Sequence, residues 1–315
     1  MWPSTCGDHM SDGLRDLLQA TWKDQVATGF VLGDPSQPVE SRIAPDPISG
    51  VDFRFRWLPH REIRTDPAEL ERLGILSPDC FEADLYRDHR DESGRHCFLC
   101  PCNVVICHPM ETLVPVVAGG KQWYAGANFA WLASDHFTLM TERHEDQIYS
   151  PVLLEAMLDI SEQTGGVFRV VFNGGNAGAT IPWHLHLHVS SDRMPVETLR
   201  PGMEHEYPTP VAVFPLLRGN LAEADKYITE WEERDTAHHR VNLLVATVDS
   251  VPTVFVFLRD TRFTVATNKG LMGGWEVAGD FAYSEPGMRS EFESASLETV
   301  KIALAQIRPQ VLRDR

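Results

Sequence analysis

No run of about 18 consecutive apolar residues, the least that a membrane-spanning helix requires, occurs in the 315-residue chain, so no membrane role is expected. The N-terminus, Met1-Trp2-Pro3-Ser4-Thr5-Cys6, has neither the basic n-region nor the apolar h-region of a secretory leader. Residues 1–10 therefore read as a disordered tail or cloning remnant, outside the fold. Positive charge is scarce: 28 Lys and Arg face 45 Asp and Glu, a formal net charge of −17. Such a surface repels a phosphate backbone and argues against a nucleic-acid partner, while leaving room for a local basic pocket that takes one small anion. Cysteine is sparse as well. Six in the whole chain do not make a disulfide scaffold, and four of them (Cys97, Cys100, Cys102, Cys107) fall within eleven positions. Without a leader, that bunching favours metal over disulfides and a reducing, cytoplasmic setting. What remains, 43% hydrophobic and 23% charged residues with no low-complexity tract, is ordinary for a globular protein and excludes whole-chain disorder.

Hydrophobic periodicity outlines the elements. Residues 11–28 read as a helix with Leu14, Leu17, Leu18 and Trp22 on one side. Residues 33–50 read as loop. Val51 to Leu58 alternates apolar and basic residues as a strand does, Phe53, Phe55 and Trp57 against Arg54 and Arg56. A short helix is expected over Pro67–Leu73, paired strands over Trp123–Leu132 and His136–Met140, and a helix over Pro151–Gln163. Strands follow at Val167–Asn173 and Trp183–Ser190. The pattern then partly recurs: a helix over Leu221–Glu233, strands at Arg240–Val248 and Thr253–Leu258 about a Val251-Pro252 turn, a strand at Trp275–Tyr283, and a helix over Ser294–Ile307. Runs of strand, strand, helix and strand on both sides of residue 205 suggest an internal duplication.

The most informative stretch runs from Asn173 through a glycine-rich turn into Trp183-His184-Leu185-His186-Leu187-His188-Val189-Ser190. In a strand, alternate side chains face opposite ways, so the three histidines would share a face opposite an apolar one. Three imidazoles in strict alternation are hard to explain as packing, because each buried ring nitrogen needs a partner. The row could hold a metal, supply a nucleophile, or divide those tasks. The preceding Gly174, Gly175 and Gly178 allow backbone N–H groups to approach an anion, with Asn173 and Thr180 as further donors. A phosphoryl group beside a neutral imidazole is the arrangement for covalent catalysis.

Cys97 and Cys100, spaced as C-x-x-C, suit two thiolates on one tetrahedral Zn²⁺ that needs two more ligands. Cys102 and Cys107 are the local candidates, with His144 and His184 more distant ones. Other positions carry weaker signals. Arg54, Arg56, Arg61 and Arg64 could clamp a phosphate, but a solvated strand face is the preferred reading. Trp123, Tyr124, Phe129 and Trp131 could sandwich a base, but core packing is preferred. Lys269 is expected on an exposed loop, His136 is as readily structural as functional, and His205, His238 and His239 carry no signal above surface background.

The run from Gly178 to His188 resembles the active-site strand of the histidine-triad superfamily, and more closely the branch holding galactose-1-phosphate uridylyltransferase and the GDP-hexose phosphorylases. Cys97-Phe98-Leu99-Cys100-Pro101-x-Asn103, His136-Phe137-Thr138, His144-x-x-Gln147, Val241-Asn242-Leu243-Leu244-Val245 and the Gly274–Gly279 run corroborate it, over roughly residues 12–310. The resemblance implies an α+β, histidine-triad-like fold of two such halves, with antiparallel sheets flanked by helices: a catalytic half at 11–205 and a degenerate one at 206–315. It implies His186 as the nucleophile that forms a nucleotidyl-histidine, oriented by the main-chain carbonyl of His184. It implies structural Zn²⁺ on Cys97, Cys100, His144 and His184, and phosphate contacts from Asn173 and Thr180 near Gly178.

The implied activity is nucleotidyl transfer or phosphorolysis on a nucleotide sugar or dinucleotide, with phosphate or a sugar phosphate as acceptor, in a homodimer. One departure bears on the acceptor. The branch carries glutamine where this chain has His188, as histidine-triad hydrolases do. His188 is thus a second catalytic candidate, able to act as an acid, and hydrolysis or lysis of a nucleotide conjugate is the runner-up. A non-catalytic nucleotide-binding protein, whose three histidines hold a metal together, is the reading from a different class.

Overall fold

The structure, a computed structural model, describes residues 13–78, 97–179, 181–202, 206–217, 221–263 and 272–309. The chain opens with α1 (Leu14–Ala27), β1 (Glu40–Asp46), β2 (Val51–Trp57) and α2 (Pro67–Arg72). It continues with α3 (Pro101–Cys107), β3 (Val114–Ala118), β4 (Lys121–Ala127), β5 (Phe137–Thr141) and α4 (Pro151–Gln163). Then come β6 (Arg169–Asn173), β7 (His186–Ser190), β8 (Val211–Pro215), α5 (Ala222–Glu233), β9 (His239–Val248) and β10 (Val251–Asp260). The last elements are α6 (Gly274–Val277), β11 (Asp280–Tyr283), α7 (Arg289–Ser294) and α8 (Leu297–Gln306).

Eight strands form one antiparallel sheet in the order β3-β4-β5-β7-β6-β9-β10-β8, and β1-β2-β11 form a smaller one in which β11 runs parallel to β2. The architecture is thus α+β, as expected. The large sheet has two working faces, because cross-strand neighbours share a face. On the first, Leu139 faces Leu187 and Val170 lies between Val189 and Val245. These side chains join a core with Leu18 and Trp22 of α1, Leu154 and Met157 of α4, and Ile228 of α5. On the second face, His188 lies between Thr138 and Val171, Met140 is opposite His186, and Asn173 is opposite Asn242. Towards β9 and β10 this face is covered by a second core that includes Phe53 and Phe55 of β2, Phe281 of β11 and Leu304 of α8. Over β5, β7 and β6 it opens into a cavity.

Several expectations shift. The 33–50 stretch contains β1, an edge strand with most side chains exposed, so no buried alternation marks it. The β9–β10 turn sits at Asp249 and Ser250, both in the left-handed region (φ 49° and 68°), while Pro252 is already in the ladder opposite Thr247. The strand expected over Trp275–Tyr283 is two elements. Glu276 caps the amide of Gly273 to start α6, and Gly279 (φ 94°) ends it before β11. The C-terminal helix is broken at Ala295, and Ser296 caps α8. Among the described residues, no helix is long and apolar enough to cross a membrane.

Candidate active site

β7 begins at His186, not Trp183, so His184 stands just before the strand and outside the alternation. Its ring turns to the thiols. Nδ1 lies 3.3 Å from Cys97 Sγ and 3.5 Å from Cys100 Sγ, and His144 Nδ1 lies 3.4 Å from Cys100 Sγ. His184 Nε2 donates to the Thr141 carbonyl at 3.1 Å, which leaves Nδ1 unprotonated and aimed at the sulfurs. The ligand atoms of Cys97, Cys100, His144 and His184 all lie within 4.8 Å of one another. Tetrahedral bonds of about 2.3 Å to sulfur and about 2.0 Å to nitrogen set an S···N edge of about 3.5 Å, so the four residues fit Zn²⁺. The Cys97 thiol is held well below its usual range, first by its hydrogen bond with Cys100 and then by His184. Cys102 is exposed and Cys107 stands outside the group, so the four-cysteine alternative is not what the fold assembles.

His186 is 3% exposed. Its Nδ1 donates to the His184 carbonyl at 2.8 Å, so the lone pair is on Nε2. Gln147 locks the backbone around it, accepting from His186 N at 2.7 Å and donating to the carbonyls of Asn173 (2.8 Å) and His186 (2.9 Å). It thereby ties β6 to β7 where their ladder ends. Burial lowers the His186 pKa to about 4, so the ring is neutral at neutral pH.

His188 is set by a chain of donors. The Leu132 amide donates to His136 Nδ1 at 3.0 Å, so the neutral His136 carries its proton on Nε2, which lies 3.2 Å from His188 Nδ1. That nitrogen therefore accepts, and His188 carries its own proton on Nε2. Both rings are kept neutral chiefly by burial, to which His188 adds for His136, and His186 and Arg61 add for His188. His136 is thus part of the site. Trp275, from α6, closes over both rings with centroids 5.0 and 5.6 Å away.

The cavity has a volume of about 700 Å³. His188, Asn173, Gly178, His136 and Trp275 line it, whereas His186 is not among the lining side chains and sits one ring behind, 5.2 Å from His188 between centroids. Gly178 (φ 97°) is required for this wall, because a Cβ there would stand 2.4 Å from the Gly273 Cα. Gly274 is required too: a Cβ would meet Val171 Cγ1 at 2.3 Å, and its absence lets the Gly274 amide donate to Asn173 Oδ1 at 2.6 Å.

The other expected anion donors are otherwise engaged. The amides of Gly174 and Gly175 donate to the carbonyls of Val241 and Gln147. Thr180, like Lys269, His205 and residues 1–10, lies outside the described residues.

Positive charge reaches the cavity from Arg61 and Arg64, both lining it. Arg61 bonds the Ala130 carbonyl, and burial pushes it down to about 9, still a cation at neutral pH. Three glutamates, Glu111, Glu276 and Glu285, also line the cavity. Burial raises Glu111 to about 8 and raises Glu276 as well. Arg54 and Arg56 are not a solvated face: both pair with the buried Asp280 at 2.6 Å. Trp123 is core, as preferred, and Trp131 is buried under His60, but Phe129 lines the cavity. His239 is buried and stacked on Trp231 at 3.7 Å rather than on the surface. Sequence reasoning missed Glu111, Trp275 and Glu276 as site residues. The last two lie in the Gly274–Gly279 run that supports the family resemblance, but nothing in that run marks them as facing a cavity.

Residues 82–191 match the model of a domain family described as a domain of unknown function, DUF4922. That stretch contains the whole Cys/His group together with His186 and His188. No curated protein matches the chain by sequence. Among solved structures, it is similar to yeast Ap4A phosphorylase Apa2. The complex of that enzyme with AMP gives a TM-score of 0.57 at 14% identity, over 94% of this chain and 96% of that one. A further crystal structure of Apa2 gives 0.57 at 14%, over 94% and 97%, and the complex with Ap4A 0.57 at 13%, over 94% and 98%. The fold is therefore histidine-triad-like. It is, nearly from end to end, the fold of that yeast phosphorylase.

Proposed function

We propose that the chain is a nucleotidyltransferase or phosphorylase that splits a dinucleotide or nucleoside diphosphate sugar through a nucleotidyl-histidine on His186. The observation that carries this reading is the tautomer of His186: Nδ1–H is spent on the His184 carbonyl, so Nε2 keeps its lone pair, one ring behind the His188 that lines the cavity. The fold shared with an Ap4A phosphorylase supports it. Nε2 attacks the α-phosphorus, and the bond from phosphorus to the bridging oxygen breaks with its electron pair leaving on the distal phosphate. The His184 carbonyl steadies the charge that the imidazole gains. His188 Nε2–H and the Asn173 amide donate to oxygens that become more negative, and Arg61 and Arg64 offset the incoming charge. An oxygen of the acceptor, phosphate or a sugar phosphate, then attacks from the vacated side. The P–N bond breaks, the pair returns to Nε2, and configuration at phosphorus is retained overall.

The residue at the third histidine position sharpens the acceptor question. His188, neutral and protonated on Nε2, offers an N–H as a glutamine amide does, which supports transfer to phosphate over hydrolysis. Cys97, Cys100, His144 and His184 would hold a structural Zn²⁺, with no position left open for water. His186 and His188 lie outside that group, against a shared three-histidine metal centre.

The test is incubation with a panel of dinucleotides and nucleotide sugars, with and without phosphate, scored by product mass. Products that incorporate phosphate support the reading. Products formed only with water would replace it by a hydrolase, and no turnover at all would favour a binding protein.

A further inference from the structure

Asn173 ends a chain of hydrogen bonds that begins outside the catalytic strands. Arg259 of β10, 4% exposed, donates from Nη1 to Asn242 Oδ1 at 2.5 Å and to the Met272 carbonyl at 2.8 Å. Asn242 of β9, fully buried, donates from Nδ2 to Asn173 Oδ1 at 2.8 Å and to the Ala177 carbonyl at 2.7 Å. Asn173 Oδ1 also accepts from the Gly274 amide.

An amide side chain can be read either way round, yet both flips here are forced. Arginine and a backbone N–H only donate, so the atom that meets Arg259 is an oxygen, and so is the atom of Asn173 that meets Gly274. Ala177 O only accepts, which makes its partner on Asn242 the nitrogen. With Oδ1 of Asn173 held from two sides, its NH₂ is left to the cavity that Asn173 lines. The chain is thus a cation, two amide dipoles in series and an N–H donor at the open end. Each link polarises the next in a dry environment.

We infer that Arg259 and Asn242 are positioning residues that hold Asn173 as a donor to a phosphate oxygen, so that the last strands of the large sheet set the anion preference of the cavity. This rests on the proposed function only for the phosphate class of the ligand. The residues contact no substrate themselves. They act through Asn173, and a merely structural role for them would weaken all ligands alike.

The experiment is titration calorimetry on the full chain with 5′-AMP, 5′-GMP and 5′-UMP, each beside its nucleoside. A hydrogen bond to a charged group is worth about 10-fold or more in affinity. For the tightest nucleotide, Arg259→Gln, Asn242→Asp and Asn173→Ala should each weaken binding by about that factor and leave the nucleoside unaffected. Arg259→Lys, which keeps the cation, should restore most of the loss. Arg259→Gln in an Asn173→Ala background should add nothing.

Equal losses for nucleotide and nucleoside, an undiminished effect of Arg259→Gln without Asn173, or no nucleotide binding by the wild type would overturn the inference. Should a variant fail to fold, the wild type still decides it. Side-chain amide NMR must show the Asn173 NH₂ protons shifting with nucleotide and not with nucleoside, and unmoved protons refute the relay. A chain that shows this pattern without an adduct on His186 loses the proposed reaction and keeps the relay; an adduct without the pattern does the reverse.

Discussion

His184 and His186 are two residues apart, and their rings end in environments of opposite character. The first turns a ring nitrogen to two thiols, one of which also meets the His144 ring, in a closed group of four ligand atoms. The second donates its N–H to the carbonyl of the first and keeps its lone pair one ring behind an open cavity. One backbone carbonyl joins the two regions. The difference teaches that a histidine row need not be one device: one ring joins a Cys/His group suited to a metal, while the next is held as a neutral imidazole with a free lone pair.

The sharpest break of this comparison is at His186. His186→Ala should lower turnover by at least ~10⁴-fold, since the covalent route disappears, with Tm and metal content unchanged. Turnover assays beside a thermal scan and metal analysis check it. Loss of metal in that variant would show that the regions are not separate.

The converse comes next. Cys97→Ser or His144→Ala should release the metal and cost about 3–5 kcal/mol, on the order of 10 °C in Tm, with activity lost as a consequence of unfolding. A chelator should act in the same order, melting first and activity second. Activity lost at unchanged Tm would mean that the metal serves the chemistry.

Within the cavity, His136→Phe keeps the ring packed under Trp275 but removes the donor to His188. The His188 proton is then no longer confined to Nε2, and kcat should fall about 10-fold with little change in substrate affinity. An unchanged kcat would remove His136 from the site.

The smallest effect concerns Glu111. Its carboxyl is raised from the usual 4.5 to about 8 by burial. A group whose folded pKa is raised binds its proton more tightly when folded, so its stabilisation is full below pH 4.5 and fades as pH rises through 8. Relative to the wild type, Glu111→Gln should therefore gain stability between pH 4.5 and 8, most visibly at the alkaline end. Parallel Tm curves over that range would contradict the buried, neutral carboxyl.

The sequence was readable where a single period governs. Alternation put His186 and His188 on one face because Leu187 and Val189 fill the other, and helix α4 is legible to the residue because Ser150 and Pro151 start it and Gly165 follows it. Alternation failed at His184, where the backbone leaves the strand so that the Pro182 carbonyl can take the Gln147 amide. Spacing alone could not choose between Cys102 or Cys107 and His144 or His184, since that choice depends on where β5 and β7 end in space; the family resemblance supplied it. The cavity wall around Trp275 read as a strand because Trp275, Val277 and Gly279 mimic period two, whereas the Glu276 cap and the conformation of Gly279 make it a helical turn. Asn242, inside the Val241–Val245 run, and Arg259 are single polar residues in apolar strands, which must find partners when buried, but the sequence does not say which.

The most direct measurement is mass spectrometry of the intact chain, quenched during turnover with a dinucleotide or nucleotide sugar in the absence of acceptor. The account predicts one added nucleotidyl group, labile to acid, located on His186 by peptide mapping and discharged when phosphate is added. A turning-over enzyme that carries no adduct, or carries it on another residue, would contradict it.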